Sequence, residues 1–309
     1  MAIISKFYIV MPTYNRYEKF VRAVNSIVNQ TYQNWVLFCV DDCSELDIYN
    51  NKKRYIESLH DERIQMYRLN ENRGHCYARN YALERINDID GFVKYLDDDN
   101  YEKENCLYDL YDFVSNNDCD VVSFCFEEYK DDSIKIVKPD YNNESVFDGN
   151  LDTCCISHSV KLYNNLGGWD ERLLRMADDD FFFTYIEKGK YAFFDKILSA
   201  YFDTSNKDRV TNKYSNLKFL KIIASKHEHF SEKCCVVVKT KEQEQRLLND
   251  NYIVKYFIDF DIVYSMAGKQ CSYIVYYNDD ISLNDVFEHF YKTKQRFFKI
   301  KNTVFAKMI

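Results

Sequence analysis

The sequence predicts an α/β fold, a mostly parallel sheet flanked by helices, followed by a smaller α+β module. Three observations carry this. Strand-like and helix-like segments alternate through the N-terminal part of the chain. The strand-like runs, among them FYIVM at 7–11 and Trp35–Val40, are apolar throughout, the pattern of strands covered on both faces. The conspicuous polar residues fall just after these runs, where open parallel sheets place their ligand crevice.

Taken in order, strand 7–11 is stopped by Pro12-Thr13-Tyr14-Asn15. Phe20, Val21, Val24, Ile27 and Val28 then share one face of a helix over 16–29. The second strand, 35–40, ends in Asp41-Asp42-Cys43-Ser44, and helix 49–59 leads to a third strand at 64–69. A loop with Arg73 beside Gly74 precedes helix 77–86, and Phe92–Leu96 forms the fourth strand. Helix 103–115 and strand 121–127 follow, then a polar, turn-rich stretch at 131–149 that reads as a loop or hairpin. A short helix at 160–165 ends at Gly167-Gly168, a second opens at Asp178-Asp179-Asp180, and strands are expected at 192–194 and 197–201. Acids in a first helical turn are favoured by the helix dipole, so those three aspartates have a purely structural explanation as well as a catalytic one.

Phe92–Tyr101, FVKYLDDDNY, is the organising stretch. A buried strand running into Asp97, Asp98 and Asp99 gathers like charges at a sheet edge, which costs stability unless something positive sits there. A hard divalent cation held by carboxylate and phosphate oxygens is a natural partner.

Composition narrows the classes. The chain has 309 residues, 46% of them hydrophobic, which supports a sizeable core. With 7 Gly and 2 Pro, Asn and Asp must supply most of the turns. A formal charge of −8 argues against a nucleic-acid partner bound through a basic face. Eleven scattered Cys without a CxxC read as free thiols of a reducing compartment rather than disulfides or a zinc site. No signal peptide and no transmembrane run is visible, so a cytoplasmic setting is expected. The Asn/Lys/Tyr/Ile-rich composition suggests a bacterial or viral source.

The quoted stretches, taken together, resemble a known family. YIVMPTYNR at 8–16, VDDCS at 40–44, NRGHCYARN at 72–80, YLDDDN at 95–100 and GGWDERLLRMADDDF at 167–181 look like a family 2 glycosyltransferase of the GT-A fold. The resemblance spans about residues 5–212. It implies an inverting transferase, of the hexosyl- or N-acetylhexosaminyltransferase class, that moves a sugar from a nucleotide-diphospho donor, most often UDP-linked, to a hydroxyl of a glycan, polysaccharide or glycoconjugate. Mn2+ or Mg2+ is implied as cofactor. By position, Pro12, Tyr14 and the pair Asp41-Asp42 should frame the nucleobase, with the choice between the two acids open. Asp97 and Asp98 should lie by the ribose, Asp99 on the metal, and Arg73 and Arg79 near phosphate or uridine. Asp179 falls at the catalytic base, with Gly168, Trp169 and Asp178 towards the acceptor. The family commonly has Glu where Asp178 stands, and its basic loop after the last strand is only loosely matched by Lys207 and Arg209.

Two other classes compete. A nucleotidyltransferase would want a glycine-rich phosphate loop after the first strand, and Pro12–Arg16 has no Gly. A non-catalytic nucleotide-sugar-binding protein on a degenerate transferase fold is separable only by assay. The catalytic domain is expected over 1–215. Residues 216–309 are expected to form an accessory domain whose strand–helix–strand–strand–helix–strand order, over 235–239, 241–249, 252–259, 272–277, 283–294 and 297–300, suggests a ferredoxin-like arrangement.

Overall fold

The computed structural model describes residues 6–130, 133–140, 152–174 and 177–203, and beyond these the strands Cys234–Val237, Tyr273–Tyr276, Phe297–Ile300 and Thr303–Lys307. The chain divides into two compact units, Met1–Ser145 with Leu151–Lys207, and Val146–Asn150 with Asp208–Ile309.

The first unit is built on one mixed sheet. β1 (Phe7–Thr13), β2 (Trp35–Asp41), β3 (Ile64–Arg68) and β4 (Phe92–Tyr95) pair in parallel in the order β3-β2-β1-β4. The crossovers are α1 (Tyr17–Val28), α2 (Leu46–Leu59) and α3 (His75–Leu83), as the sequence pattern predicts. α1 forms because Phe20, Ala23, Val24 and Ile27 recur at helical spacing and bury one stripe. They pack into a core with Phe7, Ile9 and Met11 of β1 and with Leu107, Leu110 and Val114 of α4 (Cys106–Asn116). α3 covers the other face against β1 and β2. Thr13 and Asp41 close β1 and β2 side by side, and β4 ends earlier, with Tyr95 opposite Val10, so that the residues after it run along the same edge.

Beyond β4 the sheet departs from the simple alternation. β5 (Tyr101–Glu102) follows β4, and β6 (Val121–Lys130) turns back on β7 (Ser133–Val137), so the turn-rich stretch opens as the hairpin rather than the loop of the two expected alternatives. β8 (Ile156–Ser159) inserts antiparallel between β4 and β6. Sequence pattern missed β8 because ISHS looks polar, yet all four residues are buried. The expected pair of strands after α6 (Ala177–Lys188) is one strand, β9 (Tyr191–Asp203), parallel to β6 across a register shift near Cys125. α5 (Val160–Leu166) begins at Ser159, whose hydroxyl caps the Leu162 N–H.

In the second unit, β10 (Cys234–Val237) pairs in parallel with β11 (Tyr273–Tyr276), which pairs antiparallel with β13 (Thr303–Lys307). A ferredoxin-like order would set the strand at 297–300 beside the first strand. Among the described residues β12 (Phe297–Ile300) instead forms a hairpin with β13, a strand the sequence reading lacked. The segments expected at 241–249, 252–259 and 283–294 lie outside the described residues. The eight described cysteines of the first unit are free thiols and all but Cys43 are buried. No described helix is long and apolar enough to cross a membrane.

His158 sits at the centre of the first unit. Its Nδ1–H donates to the Ser159 carbonyl at 2.9 Å, so Nε2 accepts the Tyr95 hydroxyl at 2.8 Å. Burial holds this imidazole neutral by pushing its pKa down to about 4, partly opposed by the Ser159 carbonyl. An unfolded His takes up a proton below about 6.5. The unfolded state then binds more protons, so this contribution is complete above that pH and is lost as pH falls towards 4. The span amounts to on the order of 3 kcal/mol. Urea unfolding of the wild type and of His158→Gln at about pH 7 and about pH 4.5 should show a smaller acid loss in the variant. Equal losses would acquit His158.

Candidate active site

The ends of β1 and β2 are tied together by a buried lysine. Lys52, on the inward face of α2, is wholly buried, and its ammonium donates to Asp41 Oδ2 at 3.0 Å, Thr13 Oγ1 at 2.7 Å and Ser44 Oγ at 3.2 Å. Asp41 also accepts the Ser44 N–H and hydroxyl. The loop after β1 is pinned to the loop after β2 by Asn15, in the left-handed conformation that Asn tolerates, whose N–H donates to Ser44 Oγ and whose Oδ1 accepts the Glu45 N–H. The next acid, Asp42, accepts the N–H groups of Arg73 and Gly74 at 2.8 Å each, fixing the entry to α3. Gly74 takes a φ of 91° there. Burial raises the Asp42 carboxyl above its usual range, against the pull of these two N–H groups. Both acids of the expected nucleobase pair are thus engaged in holding loops.

The three acids after β4 differ from one another. Asp97 accepts Arg79 Nη2 at 2.6 Å and the Thr153 hydroxyl at 3.0 Å. Although burial opposes ionisation, Arg79, together with His75 and Thr153, holds the Asp97 carboxyl below the usual range. Asp98 is buried and accepts the Thr13 hydroxyl at 2.6 Å, the Tyr14 N–H at 3.3 Å and Arg16 Nη1 at 3.0 Å. Burial pushes its carboxyl up to about 6, against the attraction of Arg16. Asp99 stands at the edge, its carboxylate on Arg16 Nη1 at 2.8 Å and its carbonyl on Arg22. The acidic strand end therefore does have fixed positive partners, contrary to what the sequence suggested: Arg16 and Arg79 arrive from distant parts of the chain.

Beneath this edge a second buried pair sets the architecture. Lys94 of β4 donates to Glu102 Oε1 of β5 at 2.7 Å and to the Cys154 carbonyl at 3.0 Å. Glu102 also accepts the Ser199 hydroxyl from β9 at 2.5 Å. This ties four segments together and holds the turn Thr153–Cys155 where Thr153 can meet Asp97.

The glycine turn before α6 docks on α3. Asn80 accepts the Trp169 N–H at 2.8 Å and donates to its carbonyl at 2.9 Å. A Cβ on Gly168 would collide with Asn80 Oδ1, so only glycine fits. Trp169, expected to line the acceptor, is 4% exposed. Its ring stacks on Phe181 and carries the Arg79 guanidinium at 4.4 Å from its centre. It is a support for Arg79 rather than an open platform. Arg73 is exposed, lies over Tyr77 and pairs with Glu171 at 3.6 Å. Pro12 is buried within β1, whereas Tyr14 is exposed at the crevice. Among the acids that open α6, Asp179 is 1% exposed and Asp180 is buried. Asp178 is half-buried and within electrostatic reach of Arg79, Cys76 and Cys155. Lys207 and Arg209 lie outside the described residues.

With this geometry in view, the description of glycosyl transferase family 2 matches residues 8–163, about half of the 309 residues. The chain belongs to glycosyl transferase family 2. Within it, the chain is 33% identical over 121 residues to the teichuronic acid biosynthesis glycosyltransferase TuaG of Bacillus subtilis, covering 39% of this chain and 45% of TuaG. It is 28% identical over 117 residues to the poly(ribitol-phosphate) beta-N-acetylglucosaminyltransferase TarP of Staphylococcus aureus, covering 37% of this chain and 34% of TarP. The match thus spans less than half the length of these curated relatives. Among solved structures, S. aureus TarS 1–349 in complex with UDP-GlcNAc superposes with a TM-score of 0.61 at 20% identity, over 71% of this chain and 66% of that one. This likeness bears out the GT-A fold.

Arg16, Lys52, Thr13, Thr153 and Lys94 are the site residues that sequence reasoning did not assign. Lys52 had a faint signal: it stands four residues before Ile56, on the buried stripe of α2. Among the described residues, no three His, Cys, Asp or Glu side chains converge as a metal cage. A divalent cation completed by substrate phosphates needs only one or two carboxylates, and Asp99, 16% exposed at the crevice edge, fits that requirement. Removing one partner of a buried ion pair costs about 3–5 kcal/mol. Lys52→Met should therefore lower the unfolding free energy by about that amount, and adding Asp41→Leu should recover part of it. A loss below about 1 kcal/mol for the single variant would show that this pair is not the tie between the two loops.

Proposed function

We propose that this chain is an inverting glycosyltransferase that moves a sugar from a UDP-sugar to a hydroxyl of a glycan or glycoconjugate. The observation that supports it most is the gathering of Thr13, Asp41-Asp42 and Asp97–Asp99 at the carboxyl ends of adjacent parallel strands, faced by Arg16 and Arg79. In this reading Tyr14, exposed just after the buried Pro12, faces the base. Asp97 and Asp98 orient the ribose, with Asp41 and Asp42 bracing the loops around it. Asp99 would hold Mn2+ or Mg2+, which supplies neutralisation of the diphosphate leaving group. Arg73 and Arg79 add positive potential on the α3 side. Gly168 keeps the acceptor-side turn tight against Asn80. Residues 216–309 act as an accessory module without catalytic groups.

Transfer with inversion needs one carboxylate to take the acceptor proton as the hydroxyl attacks the anomeric carbon. Family position points to Asp179, but burial favours Asp178, the acid of this turn that solvent reaches near Arg79. The N-terminal end of α6 stabilises either as an anion. Loss of the base should cut transfer by about 10²–10⁴ while sparing donor binding. Asp178→Asn is expected to do this with an unchanged melting temperature, whereas Asp179→Asn should first lower stability. Full transfer by Asp178→Asn, with none by a folded Asp179→Asn, would move the role to Asp179.

Donor use is tested separately. UDP with Mn2+ should raise the melting temperature, an excess of about 100 Kd contributing about 2.7 kcal/mol. EDTA or Asp99→Asn should remove that gain. A panel of nucleotide sugars that gives neither metal-dependent protection nor hydrolysis would refute the reading.

A further inference from the structure

Three of the cations at the acidic edge, Lys52, Arg79 and Arg16, are not equivalent. Lys52 and Arg79 are enclosed, with side-chain exposures of 0% and 4%. Lys52 is held by three buried oxygens, and Arg79 by Asp97 with Thr153 behind it. Arg16 stands at the N-cap of α1 and its side chain is 42% exposed. One of its nitrogens, Nη1, bridges Asp98 Oδ1 at 3.0 Å and Asp99 Oδ2 at 2.8 Å. It thereby puts a positive charge on an oxygen of the carboxylate that the donor reading gives to a metal ion.

We propose that Arg16 is a stand-in cation that makes divalent-metal binding conditional on the nucleoside diphosphate. The inference rests on the donor reading above. Without donor, the guanidinium satisfies two adjacent carboxylates, one of them buried against Thr13. A metal ion arriving alone must break both contacts and stand beside a displaced like charge, and Coulomb repulsion at that spacing disfavours it. A metal arriving with a diphosphate changes the balance. The phosphate oxygens offer the guanidinium fork a replacement partner of the right geometry. The long exposed side chain swings from the acids to the diphosphate, and the metal takes its place on Asp99. The Thr13 hydroxyl, itself held by the Lys52 ammonium, keeps Asp98 in position throughout, because it reaches Asp98 Oδ2 while Arg16 is on Oδ1.

The test uses the full chain and the electron paramagnetic resonance signal of free Mn2+. Titrations are run with and without UDP, on wild type, Arg16→Met and Asp99→Asn, with melting temperatures recorded in parallel. Wild type should bind Mn2+ weakly alone, and UDP should tighten it by about 5- to 150-fold, the usual range of site coupling. Arg16→Met should bind Mn2+ alone at least about fivefold tighter than wild type and lose most of the UDP enhancement. Asp99→Asn should bind little Mn2+ in either condition. Equal Mn2+ affinity of wild type and Arg16→Met, with UDP enhancement intact in both, overturns the role of Arg16 and leaves the donor reading standing. No Mn2+ uptake by wild type even with UDP overturns both. If Arg16→Met does not fold, Arg16→Gln, which keeps one amide donor without the charge, is judged by the same two outcomes.

Discussion

A parallel sheet that ends in acids has to neutralise them without bulk water. Each crossover delivers its polar residues to the same edge, so Asp41, Asp42 and Asp97–Asp99 come together whatever their distance in the chain. Repulsion among them in a low-dielectric setting would open the edge. The structure answers with cations from α2, α3 and the start of α1, each hydrogen-bonded as well as charged. Removal of any one would leave a carboxylate with its neutral donors but without its counter-charge, which is why the contacts that bind substrate in the proposed mechanism are also those that hold the loops.

The same logic operates one layer down. Lys94 and Glu102 are both inaccessible to solvent, and an ion pair there is tolerated only because its remaining lone pairs and protons are used. Those extra bonds reach the turn at 153–155 and β9, so a local requirement for satisfaction becomes a long-range constraint. Thr153 meets Asp97 because Lys94 holds the Cys154 carbonyl. On the far side, Asn80 joins the glycine turn before α6 to the helix that carries Arg79, which keeps the acidic opening of α6 in register with the donor edge.

Much of this was legible beforehand. Uninterrupted apolar runs such as FYIVM announced parallel strands because burial on both faces leaves no place for polar alternation. The acids were legible as a site because they fall at strand ends. The partners of those acids were not. Nothing local marks Lys52 as buried, Arg16 as a bridge between Asp98 and Asp99, or Trp169 as the floor under Arg79 rather than an acceptor platform. Short elements escaped for a related reason: β5 and β8 are strands because neighbours pair with them, and their own residues carry too little pattern to say so.

What the sequence alone determined was the order of elements, the family, and which residue types stand where chemistry is possible, since periodicity and motif are properties of the chain itself. Tertiary structure decided which of those charges are committed. Asp41 and Asp42 became loop anchors, Asp179 was buried while Asp178 stayed accessible, and Arg16 rather than empty space faced Asp99. Those outcomes depend on which groups the sheet brings within about 3 Å of one another, and that is set by the register of distant strands, not by neighbours in sequence.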